Sequence, residues 1–185
     1  MKRLPLLTFG SILLAIPAIA ACDGVELKKG DPAPPFSLKA SDGKTYSLSD
    51  FKGKKAIVIA WFPKAFTGGC TQECKSFRED GAAIQEFDVA YFTASVDEPE
   101  VNKKFAASLQ LDYPILSDPE GDVARAYGVI DALRPLPRRW TFIIGLDGKI
   151  LHVDKEVKTG SHAKDVAGKL SELGIPKAES GKAAS

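Results

Sequence analysis

The sequence predicts an α/β protein with a mixed sheet flanked by helices. Three observations carry the prediction. Ala56–Phe62 and Val89–Val96 are continuous apolar runs, the pattern of strands buried on both faces. Segments with helical starts and stops follow them, one opening with acid and proline at Asp97-Glu98-Pro99-Glu100. Two Asp-Gly pairs, Asp42-Gly43 and Asp147-Gly148, each separate short strand-like segments and read as hairpin turns.

In chain order, residues 22–35 read as a linker and leading loop, with Gly30, Pro32, Pro34 and Pro35 as breakers. Phe36-Ser37-Leu38 and Thr45-Tyr46-Ser47-Leu48 alternate apolar with polar across the first turn. After the strand Ala56–Phe62, a helix is expected from near Gly69 to about Phe87. The strand Val89–Val96 leads to the helix that starts at Asp97–Glu100. A short strand, Tyr113–Leu116, and a third helix, Pro119–Tyr127, close at Gly128. Trp140–Ile144 and Lys149–Val153 form the second hairpin, and a last helix, Ala163–Leu173, stops at Gly174 and Pro176. The domain therefore spans 36–176, and 177–185 reads as a small, polar, flexible tail. Strand, helix, strand, helix, then an antiparallel hairpin and a final helix is an order that suits a thioredoxin-like fold.

The chain has 185 residues, 44% hydrophobic and 26% charged, enough to bury one ordinary core and too apolar for global disorder. Its 25 basic and 24 acidic residues leave a net charge of +1, which gives no electrostatic case for nucleic-acid binding. Three cysteines are too few for a disulfide-stapled miniature scaffold.

Residues 1–21 read as an export signal. Lys2 and Arg3 precede an apolar stretch, Leu4–Ala21, that ends in small residues. Ile19-Ala20-Ala21-Cys22 resembles the bacterial lipoprotein cleavage box, with Cys22 as the lipidated residue. Ala18-Ile19-Ala20 also fits ordinary signal cleavage, and a retained anchor is a third reading, disfavoured by Pro5, Gly10 and Pro17. Cleavage before Cys22 leaves 164 residues with 23 basic against 24 acidic side chains. All three readings put the folded part outside the cytoplasm, in the cell envelope or periplasm or secreted.

The chemistry concentrates in Trp61-Phe62-Pro63-Lys64-Ala65-Phe66-Thr67-Gly68-Gly69-Cys70-Thr71-Gln72-Glu73-Cys74. Cys70 follows a buried strand and a Gly-Gly turn and falls in the first turn of a helix. Free N–H groups and the helix dipole there stabilise an anion, so its thiol pKa is expected to fall below the free value of about 8.5. Pro63 can fix the loop, and Thr67 can hydrogen-bond the thiolate or a bound oxygen. Gly68 and Gly69 let the backbone approach a substrate closely. The bland alternative, Cys70 as a small buried apolar residue, sits poorly with a Gly-Gly helix start.

Pro63, Thr67 and Cys70 match the peroxiredoxin motif Pro-x-x-x-Thr/Ser-x-x-Cys, between a buried strand and a helix. The surrounding residues most resemble the Q-type, bacterioferritin-comigratory-protein branch. Gly30-Asp31-Pro32-Ala33-Pro34 and Leu48–Lys54 look like the same AhpC/TSA superfamily, and the resemblance runs from about Gly30 to Leu173. The family also uses an arginine ahead of a Thr-Phe strand and an Asp-Gly turn. Arg139 matches that arginine by spacing, and its guanidinium would stabilise the thiolate and orient a peroxide oxygen. Arg138 should point the other way on an extended chain. Both arginines could instead be solvated loop charges. Glu73 falls at a position often acidic in the family, read equally as a site organiser or a solvated helix-face carboxylate.

The resemblance implies a thiol peroxidase that needs no metal, flavin or haem. Cys70 would reduce hydrogen peroxide or an organic hydroperoxide and become a sulfenic acid. Cys74 is the candidate resolving residue, although the branch often places that cysteine five residues on, where this chain has Lys75. A spacing of i, i+4 on a helix leaves Cβ atoms about 5–6 Å apart, whereas a disulfide wants about 3.5–4.5 Å. The first turns must therefore unwind to form a Cys70–Cys74 bond. The alternative is a passive Cys74 and an external resolving thiol. An exported dithiol protein would supply the reductant.

Two rivals come from other classes. Cys70-x-x-x-Cys74 has the spacing of the copper site in Sco-type chaperones, which also needs a His near Arg139. His152 and His162 come later and read as surface or partly packed residues. A non-catalytic thioredoxin-like interaction module is the other rival. Cys-x-x-Cys is absent, which argues against a disulfide reductase. Trp61 and Trp140 read as core or pocket wall. Phe66 and Phe105 read as core or as the approach to Cys70.

Overall fold

The computed structural model describes residues 26–178; the leader, Cys22 and residues 179–185 lie outside them. A seven-stranded mixed sheet has the spatial order β2-β1-β5-β4-β3-β6-β7. Its strands are β1 (Ser37–Ala40), β2 (Thr45–Ser47), β3 (Ala56–Trp61), β4 (Val89–Ser95), β5 (Ile115–Ser117), β6 (Thr141–Ile144) and β7 (Ile150–Asp154). The helices are α1 (Leu48–Phe51), α2 (Gly68–Asp80), α3 (Ala82–Gln85), α4 (Pro99–Leu109), α5 (Asp122–Ala126) and α6 (His162–Glu172).

β3, β4 and β5 run parallel, and β6 pairs antiparallel with β3. All six residues of β3 are buried, as its unbroken apolar run predicts. Its side chains alternate between two cores. Ile57, Ile59 and Trp61 face Phe36, Phe92, Tyr127 and Phe142 on one side. Val58 and Ala60 face Phe77, Ile84, Val166 and Leu170 of α2, α3 and α6 on the other. Fully burying each large apolar side chain contributes about 1.5–3 kcal/mol, so both sheet faces hold the central strand in register.

Three expected elements change. The helix expected from Gly69 to Phe87 breaks at Gly81, where a Cβ would stand 2.3 Å from the Phe77 carbonyl oxygen. A residue with a Cβ does not fit at this junction between α2 and α3 without a shift. The short strand starts two residues later and ends one later, Ile115–Ser117 in place of Tyr113–Leu116, and the Pro119–Tyr127 helix shrinks to α5. Sequence patterning also missed α1, a single turn with a capping box between Ser47 and Asp50.

Both ends of the described segment bond to neighbouring elements. Gly30 N–H donates to Ile150 O (2.8 Å) and Ala33 N–H to Gly148 O (2.9 Å). Ala178 N–H donates to Glu86 O at 2.8 Å.

The topology decides where chemistry can occur. β3 ends at Trp61, and its antiparallel neighbour β6 begins at the same sheet edge, with Ala60 opposite Thr141. Trp61 N–H donates to Trp140 O at 2.9 Å. Arg139, just ahead of β6, therefore arrives beside the loop that leaves β3. β7 pairs Asp154 with Thr141, so it also ends at this edge and delivers the start of α6 there.

Candidate active site

The loop after β3 is pinned across the sheet edge. Ala65 N–H donates to Asp97 Oδ2 at 2.8 Å, joining it to the loop after β4. Phe66 adopts a left-handed backbone, φ 62°, is 57% exposed, and packs against Phe105 with ring centroids 4.9 Å apart. Phe105 itself is buried. Thr67 is the N-cap of α2, and Cys70 is the third helical residue. Cys70 is only 1% exposed, beneath the exposed residues 66–69.

Arg139 Nη2 lies 3.3 Å from Cys70 Sγ, and Nη1 pairs with Glu73 Oε2. Burial weakens the Arg139 charge, but Glu73 and Cys70 more than offset it and hold the guanidinium above its ordinary pKa. A Cβ at Gly69 would sit 3.4 Å from Arg139 Nη2, in contact with it, so a side chain larger than a methyl would meet the guanidinium over the helix start. Gly68 has open space around its Cα. Arg138 turns away, donating to Asp131 Oδ2 (2.5 Å) and Gly128 O (3.1 Å).

The structure narrows one expectation and corrects another. The Thr67 hydroxyl donates to Lys64 O at 3.0 Å and makes no hydrogen bond to Cys70. Its donor is taken within the loop, which leaves its lone pairs as what it offers an incoming group. His162 is neither surface nor partly packed: it is fully buried, with Nδ1 2.9 Å from Glu73 Oε1. Glu73, equally open between two readings, is also fully buried. Nothing local marked these two residues as partners; for Glu73 the signals were a position often acidic in the resembled family and its place one helical turn past Cys70.

Cys74 lies in the same small apolar cluster as Cys70, with Phe62, Ala65, Phe105, Leu109 and Ile115. Both thiols are free. Burial, with the neighbouring Glu73 charge next, pushes the Cys74 thiol up to about 12. Pro63 is half-buried at the start of the loop. Trp61 is fully buried, whereas Trp140 is partly exposed, with Lys155 Nζ 4.5 Å from its ring centroid. His152 lies on β7, away from the thiols, and is partly exposed. The group over Cys70 is thus a guanidinium, and the buried imidazole turns to a carboxylate, an arrangement that does not favour a two-thiolate, one-imidazole copper site.

A cysteine at a helix start, beside an arginine in a thioredoxin-like sheet, is an arrangement suited to thiol chemistry. Residues 29–153 match the AhpC/TSA family, and the chain belongs to it: the protein is a peroxiredoxin. It is close to the Bcp/PrxQ group. It is 35% identical over 152 residues to peroxiredoxin Bcp of Escherichia coli, covering 79% of this chain and 97% of that protein. The crystal structure of peroxidoxin BcpB from Mycobacterium tuberculosis superposes with a TM-score of 0.72 at 32% identity, covering 80% of this chain and 98% of that one. The PrxQ C47S mutant of Xylella fastidiosa shares the fold, with a TM-score of 0.74 at 24% identity over 82% of this chain and 99% of that one.

Proposed function

We propose that Cys70 is the peroxidatic residue of this thiol peroxidase, acting on hydrogen peroxide and organic hydroperoxides. The observation that carries this reading is the Arg139 guanidinium held against Cys70 Sγ at the start of α2. The thiolate attacks the terminal oxygen of the O–O bond. That bond breaks, water or alcohol leaves with a proton, and Cys70 is oxidised to a sulfenic acid. Arg139 orients the peroxide and stabilises the negative charge that moves across it. Thr67, with its hydroxyl proton committed to Lys64, is an acceptor for the peroxide hydrogen. Pro63 shields the sulfur, and Gly68 and Gly69 leave room for the substrate.

Cys74 then attacks the Cys70 sulfenic sulfur, releasing water and closing an intramolecular disulfide. Buried and helical, Cys74 reaches that sulfur only when the first turns of α2 unwind, which also frees its thiol from the environment that suppresses ionisation. An external thioredoxin-like dithiol reduces the disulfide by exchange. Lys2, Arg3, the apolar stretch and Ile19-Ala20-Ala21-Cys22 support export to the envelope and lipid attachment at Cys22. The reductant would then be an exported protein.

The test is peroxide consumption by reduced wild type, Cys70→Ser, Cys74→Ser and Arg139→Ala, with dithiothreitol as reductant. The reading expects no turnover in Cys70→Ser and a loss of about 100-fold in Arg139→Ala, the scale of removing one transition-state donor. Cys74→Ser should still consume one equivalent rapidly and stop at the sulfenic acid when only a protein dithiol is supplied. Undiminished turnover in Cys70→Ser would overturn the assignment. Full recycling by the protein dithiol in Cys74→Ser would assign resolution to an external thiol.

A further inference from the structure

We infer that His162 is a positioning residue that divides the Arg139 guanidinium between Glu73 and Cys70; this rests on the reading of Cys70 and Arg139 as the reacting pair. Arginine and carboxylate close into a bidentate fork when both carboxylate oxygens are free. Such a fork would draw two guanidinium nitrogens onto Glu73. Here Nη1 pairs with Glu73 Oε2, and Nη2 is left for Cys70 Sγ at 3.3 Å. The other carboxylate oxygen, Oε1, faces His162 Nδ1 at 2.9 Å.

Glu73 Oε1 and His162 Nδ1 are both buried, and neither has an aligned hydrogen-bond partner among the described residues. Their 2.9 Å separation is a close polar contact without good hydrogen-bond alignment. Leaving a buried carboxylate oxygen with nothing opposite it is costly, so the imidazole holds Oε1 in place. The ring is itself fixed. Nε2 lies 2.8 Å from Thr141 Oγ1, and the Phe77 ring meets it edge-on with centroids 4.8 Å apart. Thr141 opens β6 and Arg139 stands two residues before it, so one strand start sets both the imidazole and the guanidinium. Ser76 Oγ accepts from Ala163 N–H at 3.2 Å and locks α6 to α2 beside this contact.

The test uses His162→Leu, which removes Nδ1, and His162→Asn, whose amide nitrogen falls near the Nδ1 position. Peroxide kcat/KM and the rate of Cys70 alkylation by iodoacetamide are measured across pH on the folded, reduced protein. His162→Leu should lose about tenfold in both as Arg139 closes on Glu73, and the alkylation profile should move to higher pH. His162→Asn should recover most of that loss. In a Glu73→Gln background, His162→Leu should add no further loss, because the fork it releases no longer exists. Wild-type rates in folded His162→Leu, equal losses in Leu and Asn, or additive losses with Glu73→Gln would each overturn the inference. If His162→Leu does not fold, Thr141→Val frees Nε2 and should lower both rates about threefold; unchanged rates would overturn the inference. A wild-type rate in Arg139→Ala would sink the reading of the site itself, an outcome distinct from these.

Discussion

Tyr113 donates its hydroxyl hydrogen bond to the main-chain oxygen of Cys74, 3.0 Å away and 39 residues distant in sequence. Tyr113 stands just before β5, so the sheet clamps α2 one turn past Cys70. Removing a hydroxyl from a buried hydrogen bond costs about 1 kcal/mol. Tyr113→Phe is expected to lose about that much stability by urea unfolding. It should also speed Cys70–Cys74 disulfide closure after one equivalent of peroxide, followed by quenched-flow mass spectrometry. Slower closure would show that this bond does not oppose the unwinding.

The buried Cys74 thiol makes stability depend on alkaline pH. Its folded pKa is raised from about 9 to about 12, chiefly by burial. The native state therefore holds this proton more tightly than the unfolded chain. Its contribution is whole below pH 9 and is lost as pH rises toward 12. Tyr113 and Tyr127, both raised by burial, act in the same direction at higher pH. Urea unfolding between pH 8 and 10.5 should show falling stability, with a shallower slope in Cys74→Ala. A wild-type protein that gains stability above pH 9 would contradict this account.

Asn102 ties the edge of the sheet that carries the site. Its buried amide nitrogen donates to Ser117 Oγ at 2.8 Å and Ser95 Oγ at 3.0 Å. Ser95 Oγ also accepts from Asp97 N–H at 3.2 Å, and Asp97 holds Ala65. Asn102→Leu leaves two buried hydroxyls short of partners, an expected loss of about 2–4 kcal/mol. Thermal unfolding would measure it, and peroxide turnover should fall as well because the Asp97–Ala65 link loosens. Loss of stability with wild-type turnover would separate this network from the site.

Gly69 tests how closely Arg139 must approach. An added methyl at 3.4 Å from Nη2 is an ordinary contact, so Gly69→Ala should fold and keep kcat/KM within about threefold. A larger side chain must displace the guanidinium. Gly69→Leu is expected to lose at least tenfold, mostly in kcat/KM at low peroxide. Equal rates in both variants would show that the guanidinium can move without cost to the reaction.

The segment around Cys70 was legible in the sequence because its pattern is local. A buried apolar run, a Gly-Gly turn and a cysteine at a helix start follow one another without interruption, and Pro63 and Thr67 stand at fixed offsets within the same loop. The two Asp-Gly hairpin turns were legible for the same reason: the left-handed backbone at Gly43 and Gly148 is written in the residue type. Arg139 was found through the resemblance, since its spacing from Cys70 means nothing until β6 is paired with β3.

By itself, then, the sequence determined the fold class, the position of Cys70 at a helix start and the strands that bury both faces, all properties carried by short-range pattern. Only the tertiary structure decided the end of α2 at Gly81, the burial of Glu73 and the place of His162. At Gly81 the missing Cβ lets the backbone lie against Phe77 O and the Tyr91 hydroxyl, a fit that the assembled core sets. Glu73 and His162 meet because β7 and α6 return to the sheet edge where α2 begins. A buried carboxylate needs polar partners around it, and the Arg139 guanidinium and His162 imidazole reach Glu73 only in the assembled sheet.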